Sequence, residues 1–184
     1  MNKITTQYFK TPYGELILGA YKDQLCLCDW RYRRMRSAVN TRLCHGLDAT
    51  MQEQDSELLE QTRTQLNQYF AKEREVFDIP LLLVGTDFQK RVWEALLGIS
   101  YGTTASYLKL SEKLGNTKAI RAVASANGAN SISIIVPCHR IIGSSGELVG
   151  YAGGLDAKRK LLNLETKSTT PKLMTQISMD FSTD

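Results

Sequence analysis

The first third of the chain alternates short apolar runs with polar turns. Residues 15–21 and 25–30 are rich in Leu, Ile, Cys and Trp, and the polar residues 22–24 lie between them. Two such runs joined by a short polar turn predict a β-hairpin in a small sheet. Residues 31–54 are polar and contain a basic run from Arg31 to Arg36, so we expect an irregular segment there.

Apolar residues then recur at helical spacing between residues 55 and 71. This spacing predicts an amphipathic helix with one buried face; the residues on that face are Leu59, Thr62, Leu66, Tyr69 and Phe70. The run at 77–83 predicts a short strand and a connection.

A second unit begins near Gly85. Thr86 followed by Gln89 is typical of a capping box, so a helix should start there. Its apolar face comprises Phe88, Val92, Trp93, Leu96 and Leu97. A second amphipathic helix is expected over 104–114.

Gly115 and Asn116 predict a tight turn after that second helix. Thr117 is the expected cap of a third helix that runs to Ala126. A helix, a glycine turn and a helix of this size are typical of a helix-turn-helix.

The remaining sequence contains an apolar run, a glycine-rich stretch and a last amphipathic segment. Residues 131–136 predict a buried strand that Pro137 ends, because proline has no amide hydrogen to donate. Residues 156–164 predict a helix that ends at Glu165. The polar segment 167–184 is expected to be a flexible tail.

These elements predict an α/β (α+β) protein of two domains. Residues 1–84 should form a small N-terminal αβ domain with an antiparallel sheet. Residues 85–166 should form a mainly helical domain with a winged-helix-like helix-turn-helix.

The positive charge is concentrated in the predicted helix-turn-helix. The net charge of the chain is +4, and residues 88–125 contain six Lys and Arg against two Glu. This excess favours a polyanionic partner such as DNA, although an ordinary solvated helical surface has the same composition. Four irregularly spaced cysteines, no long apolar run and no apolar leader favour a cytoplasmic protein without a membrane span.

A cysteine and a histidine stand side by side in the apolar run IIVPCHRII, at Cys138 and His139. Cysteine attacks only as the thiolate, so a buried nucleophilic Cys138 needs a proton acceptor nearby. A carboxylate is also needed to hold the imidazole in one tautomer, and the spacing leaves Glu147, Asp156 and Glu165 as alternatives.

Two other interpretations of the cysteines stay open at this point. Cys138 could be a small core residue, since cysteine is among the most buried residue types. Four possible zinc ligands occur earlier, at Cys26, Cys28, Cys44 and His45, but the chain has no paired CxxC motifs. We therefore predict no metal site.

The segment from Thr86 to Glu165 resembles the O6-alkylguanine-DNA alkyltransferases, the methylated-DNA–protein-cysteine methyltransferases, of the bacterial constitutive type. The residues that carry the resemblance are Phe88-Gln89-x-x-Val92-Trp93, Ser106-Tyr107, Arg121-Ala122-Val123, Asn130, Ile135-Val136-Pro137-Cys138-His139-Arg140 and Gly150-Tyr151-Ala152-Gly153-Gly154. The N-terminal part resembles the smaller domain of that family only in its pattern.

The resemblance implies a catalytic role for several matching residues. Cys138 would accept the alkyl group. His139, acting through a bound water, and Glu165 would activate it. Tyr107 would rotate the target phosphate and face the flipped base.

The resemblance also implies how DNA is bound. Arg121 would enter the base stack, and Asn130 would fix the turn before the active site. Lys118, Ala122 and Ser125 lie on the same predicted helix and would contact DNA. The backbone amide of Ala152, the carbonyls of Cys138 and Ile141, and Tyr151 would bind the damaged base.

The implied activity is direct reversal of O6-alkylguanine, and of O4-alkylthymine, in duplex DNA. A base inside a duplex is out of reach, so it must be flipped out, here through the minor groove. The thioether product is not hydrolysed, so a monomer without a cofactor should act once. The alternatives are a lesion-binding relative that lacks transfer and a Cys-His-Glu hydrolase that turns over.

Overall fold

A computed structural model of the chain describes residues 2–166. The N-terminal half begins with three antiparallel strands, β1 (Asn2–Thr11), β2 (Gly14–Tyr21) and β3 (Gln24–Trp30). The predicted hairpin is confirmed as β2–β3. Lys22 and Asp23 form its turn with φ values of 46° and 60°, the left-handed backbone that suits the right-handed twist of a hairpin.

The prediction of an irregular segment at residues 31–54 is wrong. The structure has a helix, α1 (Arg36–Leu47), and a strand, β4 (Ala49–Glu53), which pairs in parallel with β1 at the edge of the sheet. Only Val39 and Leu43 of α1 are buried, and its sequence has almost no amphipathic pattern. The helix therefore could not be predicted from the spacing of apolar residues. β4 is defined by its pairing with a distant strand, which local sequence does not reveal.

The predicted helix over 55–71 is confirmed as α2 (Glu57–Phe70), capped by Ser56. The strand predicted at 77–83 is wrong, because this segment makes only a single bridge, between Leu81 and Leu25. Pro80 interrupts any ladder there, since it has no amide hydrogen, while its carbonyl accepts from the Leu25 amide at 2.8 Å.

The C-terminal half begins with α3 (Asp87–Leu97), and the capping box of Thr86 and Gln89 is present as predicted. Val92, Trp93 and Leu96 are buried. Leu97, which the pattern placed on the buried face, is 45% exposed.

The helix-turn-helix comprises α4 (Tyr107–Lys113), a turn and α5 (Ile120–Gly128). Gly115 adopts φ +76° in the turn, a conformation that favours glycine. Asn116, rather than Thr117, caps the 3-10 helix Thr117–Ala119 that precedes α5. The α4 helix is shorter than the predicted range 104–114 because Ser106 caps it.

The buried strand predicted over 131–136 is wrong. All six residues are buried, but they form a tight turn whose amides bond within the segment, such as Val136 to the Ile132 carbonyl at 2.9 Å. Ile134 adopts φ 73°, a strained conformation for a β-branched residue. Burial therefore explains the apolar composition, and no strand is needed.

Two short strands and a helix complete the described chain. β5 (Ala105–Ser106) pairs in parallel with β6 (Ile141–Ile142), and α6 (Gly154–Glu165) confirms the predicted last helix. The predicted tail 167–184 lies outside the described residues. No helix within residues 2–166 is long and apolar enough to cross a membrane.

A buried carboxylate, Asp29 at the end of β3, joins the two halves of the protein. One of its oxygens accepts from the Ser133 hydroxyl at 2.9 Å, and the other accepts from Arg33 at 2.7 Å and from Arg36. Arg33 also donates to the carbonyls of Asn130 and Gly128. The N-terminal half thus holds the end of α5 and the middle of the turn that follows it.

Asp29→Asn should destabilise the fold strongly. The substitution leaves the buried guanidinium of Arg33 without its carboxylate, so the free energy of unfolding should fall by about 3 kcal/mol or more. The measurement is urea unfolding at pH 7. The matched control is Glu15→Gln, which removes the more exposed ion pair with Arg31 and should cost less than about 1 kcal/mol. Equal losses in the two variants would contradict a central role for Asp29.

Candidate active site

Cys138, His139 and Arg140 form a single 3-10 turn, and all three side chains are buried. On an extended backbone, neighbouring side chains would point to opposite faces. The turn instead brings His139 and Arg140 to Glu165, the last residue of α6. Pro137 precedes the turn as its cap residue.

A cleft of about 270 Å³ opens at Cys138. It brings together four residues that the sequence analysis singled out, Cys138, Tyr107, Tyr151 and Ala152. The other lining residues are Arg33, Arg34, Met35, Ala124, Asn127, Gly128 and Gly150. Ile141, a predicted base-binding residue, does not line the cleft, and its carbonyl already accepts from Lys158.

Glu165 is the carboxylate that meets His139. Its Oε1 lies 2.8 Å from His139 Nε2. Glu147 is exposed and bonds to Ser145, while Asp156 is exposed and pairs with Lys160. The spacing left these three carboxylates open, and the tertiary structure selects Glu165.

Glu165 is held by donors from several parts of the chain. Arg140 donates to both of its oxygens at 2.9 Å, and the Gly102 amide donates to Oε2 at 3.3 Å. The Tyr69 hydroxyl donates to Oε1 at 2.7 Å. Burial alone would raise the pKa of Glu165, but the hydrogen bonds from His139 and Arg140 outweigh it and lower the pKa to about 2.

His139 is fully buried and uncharged at neutral pH. Burial lowers its pKa, and this outweighs the opposing effect of Glu165. In the neutral ring, Nε2 donates to the carboxylate, so Nδ1 carries the lone pair. Nδ1 has no hydrogen-bond partner among residues 2–166. It is therefore a proton acceptor inside the protein.

The Cys138 thiol is protonated in the resting protein. Burial raises its pKa, although a hydrogen bond from Asn130 Nδ2 to the sulfur at 3.2 Å acts in the opposite direction. A base must therefore take the proton when the cysteine reacts.

Asn130 also organises the turn before the cysteine. Its Nδ2 donates to the Val136 carbonyl at 3.0 Å, and its Oδ1 accepts from the Ile132 amide at 2.9 Å. One side chain thus bonds to both sides of the turn and to the sulfur.

Lys158 is a fully buried lysine that the sequence analysis missed. Its ammonium donates to the carbonyls of Ile141, Val149 and Gly150, which ties the glycine-rich segment to β6. Burial lowers its pKa to about 8. Lys158 and Glu165 share the buried face of α6 with Leu161, so charged residues at apolar spacing were the available signal.

The four residues predicted to contact DNA from the third helix share one exposed face. Lys118, Arg121, Ala122 and Ser125 are all exposed, at spacings of three and four residues around the start of α5. Tyr107, on α4, accepts from Asn127 at 3.4 Å and faces the cleft. The exposed face and the cleft therefore lie on adjoining sides of the helix-turn-helix.

The arginines of the basic run Arg31–Arg36 divide between ion pairs with carboxylates and the cleft. Arg31 pairs with Glu15, and Arg33 and Arg36 pair with Asp29. Arg33 and the exposed Arg34 line the cleft. Neither arginine was predicted as a site residue, because nothing in the local sequence places them near Cys138.

The early cysteines do not form a ligand set. Within residues 2–166 there is no group of three or more His, Cys, Asp or Glu placed to hold a metal ion. Burial raises the pKa of Cys26 to about 12, and its sulfur lies 3.5 Å from the Gly19 carbonyl.

The fold and this site together define a helix-turn-helix protein with a buried cysteine next to a His-Glu pair. Residues 4–83 match the family model described as the 6-O-methylguanine DNA methyltransferase ribonuclease-like domain. Residues 87–167 match the DNA binding domain of the same methyltransferase.

Individual relatives agree with these matches. The chain is 38% identical over 181 residues to the constitutive methylated-DNA–protein-cysteine methyltransferase of Bacillus subtilis, covering 94% of this chain and 100% of that protein. It is 51% identical over 157 residues to the enzyme of the same name from Methanosarcina acetivorans, covering 85% and 95%. The crystal structure of Mycobacterium tuberculosis OGT in complex with DNA superposes with a TM-score of 0.74 at 42% identity, covering 89% and 92%.

The chain belongs to the 6-O-methylguanine DNA methyltransferase family and is an enzyme of the methylated-DNA–protein-cysteine methyltransferase type. The resemblance read from the sequence is thereby confirmed, as is the α+β fold class. These matches also support DNA as its partner.

Glu165→Gln should remove an acid-sensitive part of the folding stability. Because the folded pKa of about 2 lies below the usual value, ionised Glu165 stabilises the fold above about pH 4.5, and this stabilisation is lost as the pH falls towards 2. The variant should be less stable than the wild type by about 3 kcal/mol at pH 7. That difference should narrow between pH 5 and pH 3 in urea unfolding.

The matched control is Glu94→Gln on the exposed side of α3. It should not lower stability by more than about 0.5 kcal/mol at pH 7. A Glu165→Gln difference that stayed constant from pH 7 to pH 3 would contradict the ionised carboxylate.

Proposed function

We propose that this protein repairs DNA by direct reversal, moving the alkyl group of O6-alkylguanine, and of O4-alkylthymine, irreversibly onto Cys138. The observation that carries the proposal is the buried thiol at the base of a cleft, next to a neutral imidazole that an ionised carboxylate holds. This arrangement supplies a nucleophile and a base at one site.

The proton path starts at the Cys138 thiol. The thiol gives its proton, through a bound water, to the unpartnered Nδ1 of His139. Glu165 stabilises the imidazolium that forms. The sulfur then attacks the alkyl carbon, and the S–C bond forms as the C–O6 bond breaks with its electron pair passing to guanine. Guanine takes up one proton at N1 from water, and the imidazolium returns the thiol proton to water, so the protons balance.

The target base must leave the duplex to reach the cleft. We propose that Arg121 enters the stack from the minor groove and fills the space that the base leaves. Lys118, Ala122 and Ser125 share its exposed face and contact the backbone. Tyr107 turns the target phosphate and faces the flipped base.

Inside the cleft, the base meets Tyr151, the Ala152 amide and the Cys138 carbonyl. Asn130 holds the turn that presents the sulfur.

The product explains why each molecule acts once. A thioether resists hydrolysis, so the alkyl group stays on Cys138 and the protein is consumed. The transfer needs no cofactor. We further propose a monomer that works in the reducing cytoplasm, with its domain boundary between residues 84 and 85.

The first test is stoichiometric transfer. The protein is mixed with excess duplex oligonucleotide that carries one O6-methylguanine, and the peptide holding Cys138 is mapped by mass spectrometry. We expect a gain of one methylene on that peptide and none in Cys138→Ala. Repeated turnover would favour the hydrolase, and tight lesion binding without a mass gain would favour a binding-only relative.

Arg121→Ala should slow transfer from duplex DNA by about tenfold or more, because filling the stack offsets a flipping cost of a few kcal/mol. The measurement is the second-order rate of methyl transfer to Cys138. The matched control is Arg159→Ala, which removes the same charge from an exposed position on α6, 61% exposed, and should change the rate by less than about twofold. Equal effects of the two variants would leave only a general charge effect and would overturn the role of Arg121.

A further inference from the structure

The tyrosine hydroxyl that reaches Glu165 comes from the opposite half of the protein. Tyr69 is the penultimate residue of α2 and is fully buried. Its hydroxyl donates to Glu165 Oε1 at 2.7 Å, and the same oxygen lies 2.8 Å from His139 Nε2. Arg140 donates to Oε1 as well, at 2.9 Å. Three donors therefore share one carboxylate oxygen.

We propose that Tyr69 is a positioning residue for the proton path from Cys138 to His139 and Glu165, called the relay below. Its hydroxyl sets the pH range in which His139 can accept the thiol proton. This inference rests on the proposed function and deepens it. It makes the N-terminal half part of the reaction, since the hydroxyl acts on the cysteine through Glu165 and His139.

The surroundings of Tyr69 keep its hydroxyl pointed at the carboxylate. The ring packs against Phe70, Phe77 and Tyr101, with centroids 5.4, 5.5 and 6.1 Å away. Burial raises the pKa of the Tyr69 hydroxyl, so it stays protonated and remains a donor. No hydrogen bond of this hydroxyl to any other described residue competes with Glu165.

The physical effect follows from sharing one acceptor. A donor to Oε1 stabilises the carboxylate charge and weakens its hold on the imidazole proton. Without the hydroxyl, Oε1 becomes a stronger acceptor for His139, and the imidazolium is stabilised. The pKa of His139 then rises. A protonated imidazole cannot take the thiol proton, so the relay should fail at a higher pH than in the wild type.

The other groups that face the relay are the same with or without this hydroxyl. Arg140 and Lys158 both lower the pKa of His139. The Tyr151 ring lies 6.3 Å from the imidazole, Cys138 precedes it in the chain, and the Tyr101 ring lies 5.9 Å from the Arg140 guanidinium. A change on removing the hydroxyl alone therefore reports the Tyr69–Glu165 bond.

The test is Tyr69→Phe, which keeps the ring and removes only the hydroxyl. The chain has two histidines, His45 and His139, so the imidazole signals can be followed individually by NMR. The His139 signal should titrate at higher pH in the variant, and the His45 signal from α1 is the internal reference. The same spectra show that the variant is folded.

The second readout is the pH dependence of methyl transfer. Below the pH at which His139 titrates in the wild type, the variant should transfer about fivefold more slowly than the wild type, the fold-change that corresponds to one hydrogen bond of about 1 kcal/mol. At pH 8.5, where the imidazole is neutral in both proteins, the rates should agree within about twofold. A role in packing alone would lower the rate equally at every pH.

Tyr101→Phe is the matched control. Its hydroxyl donates to the Leu164 carbonyl at 3.3 Å, next to Glu165 in the chain but not on the carboxylate. It should leave the His139 titration and the pH profile as in the wild type. The same shift in both variants would overturn the assignment to Tyr69.

Failure of this inference can be told apart from failure of the proposed function. If the wild type takes up no methyl group, the proposed function fails, and the NMR titration still tests the action of Tyr69 on His139. If the wild type reacts and Tyr69→Phe has an unchanged titration and pH profile, the inference on Tyr69 is wrong and the proposed function stands.

Discussion

The carboxylate of Glu165 is the point on which both the fold and the site depend. It is buried at the end of α6 and accepts hydrogen bonds from α2, from the 3-10 turn of the cysteine and from the Gly102 amide. A buried charge is tolerated only when its partners satisfy it, so these segments must dock for Glu165 to stay ionised. The donors that stabilise the charge of Glu165 also fix the position of the carboxylate that bonds to His139.

The same burial bears on the reaction that we propose for the cysteine. Burial raises the pKa of Cys138, so the thiol stays protonated. Reaction then requires a base already in place, and His139 is neutral because burial also lowers its pKa.

The N-terminal half contributes more than a separate layer. Asp29 and Arg33 hold the turn that follows α5, and Tyr69 reaches Glu165. The sequence identified the run Arg31–Arg36 only as basic. Ion pairs with Asp29 separate the roles of its arginines. Arg33 and Arg36 become part of the interior, whereas Arg34 stays exposed at the cleft.

Local sequence determined the elements and motifs whose signals are short in range: the β2–β3 hairpin, the capping box of α3, the amphipathic helix α2 and the Pro-Cys-His-Arg motif. It did not predict β4 or the buried turn at 131–136, because a parallel edge strand depends on a distant partner and an apolar run looks alike in a strand and in a buried turn. Tertiary structure alone selected Glu165 among three carboxylates, brought Tyr69 to Glu165 and placed Arg33 at the cleft of Cys138. The physical reason is that hydrogen bonds and charge burial depend on distances of a few ångströms between segments that are far apart in the chain.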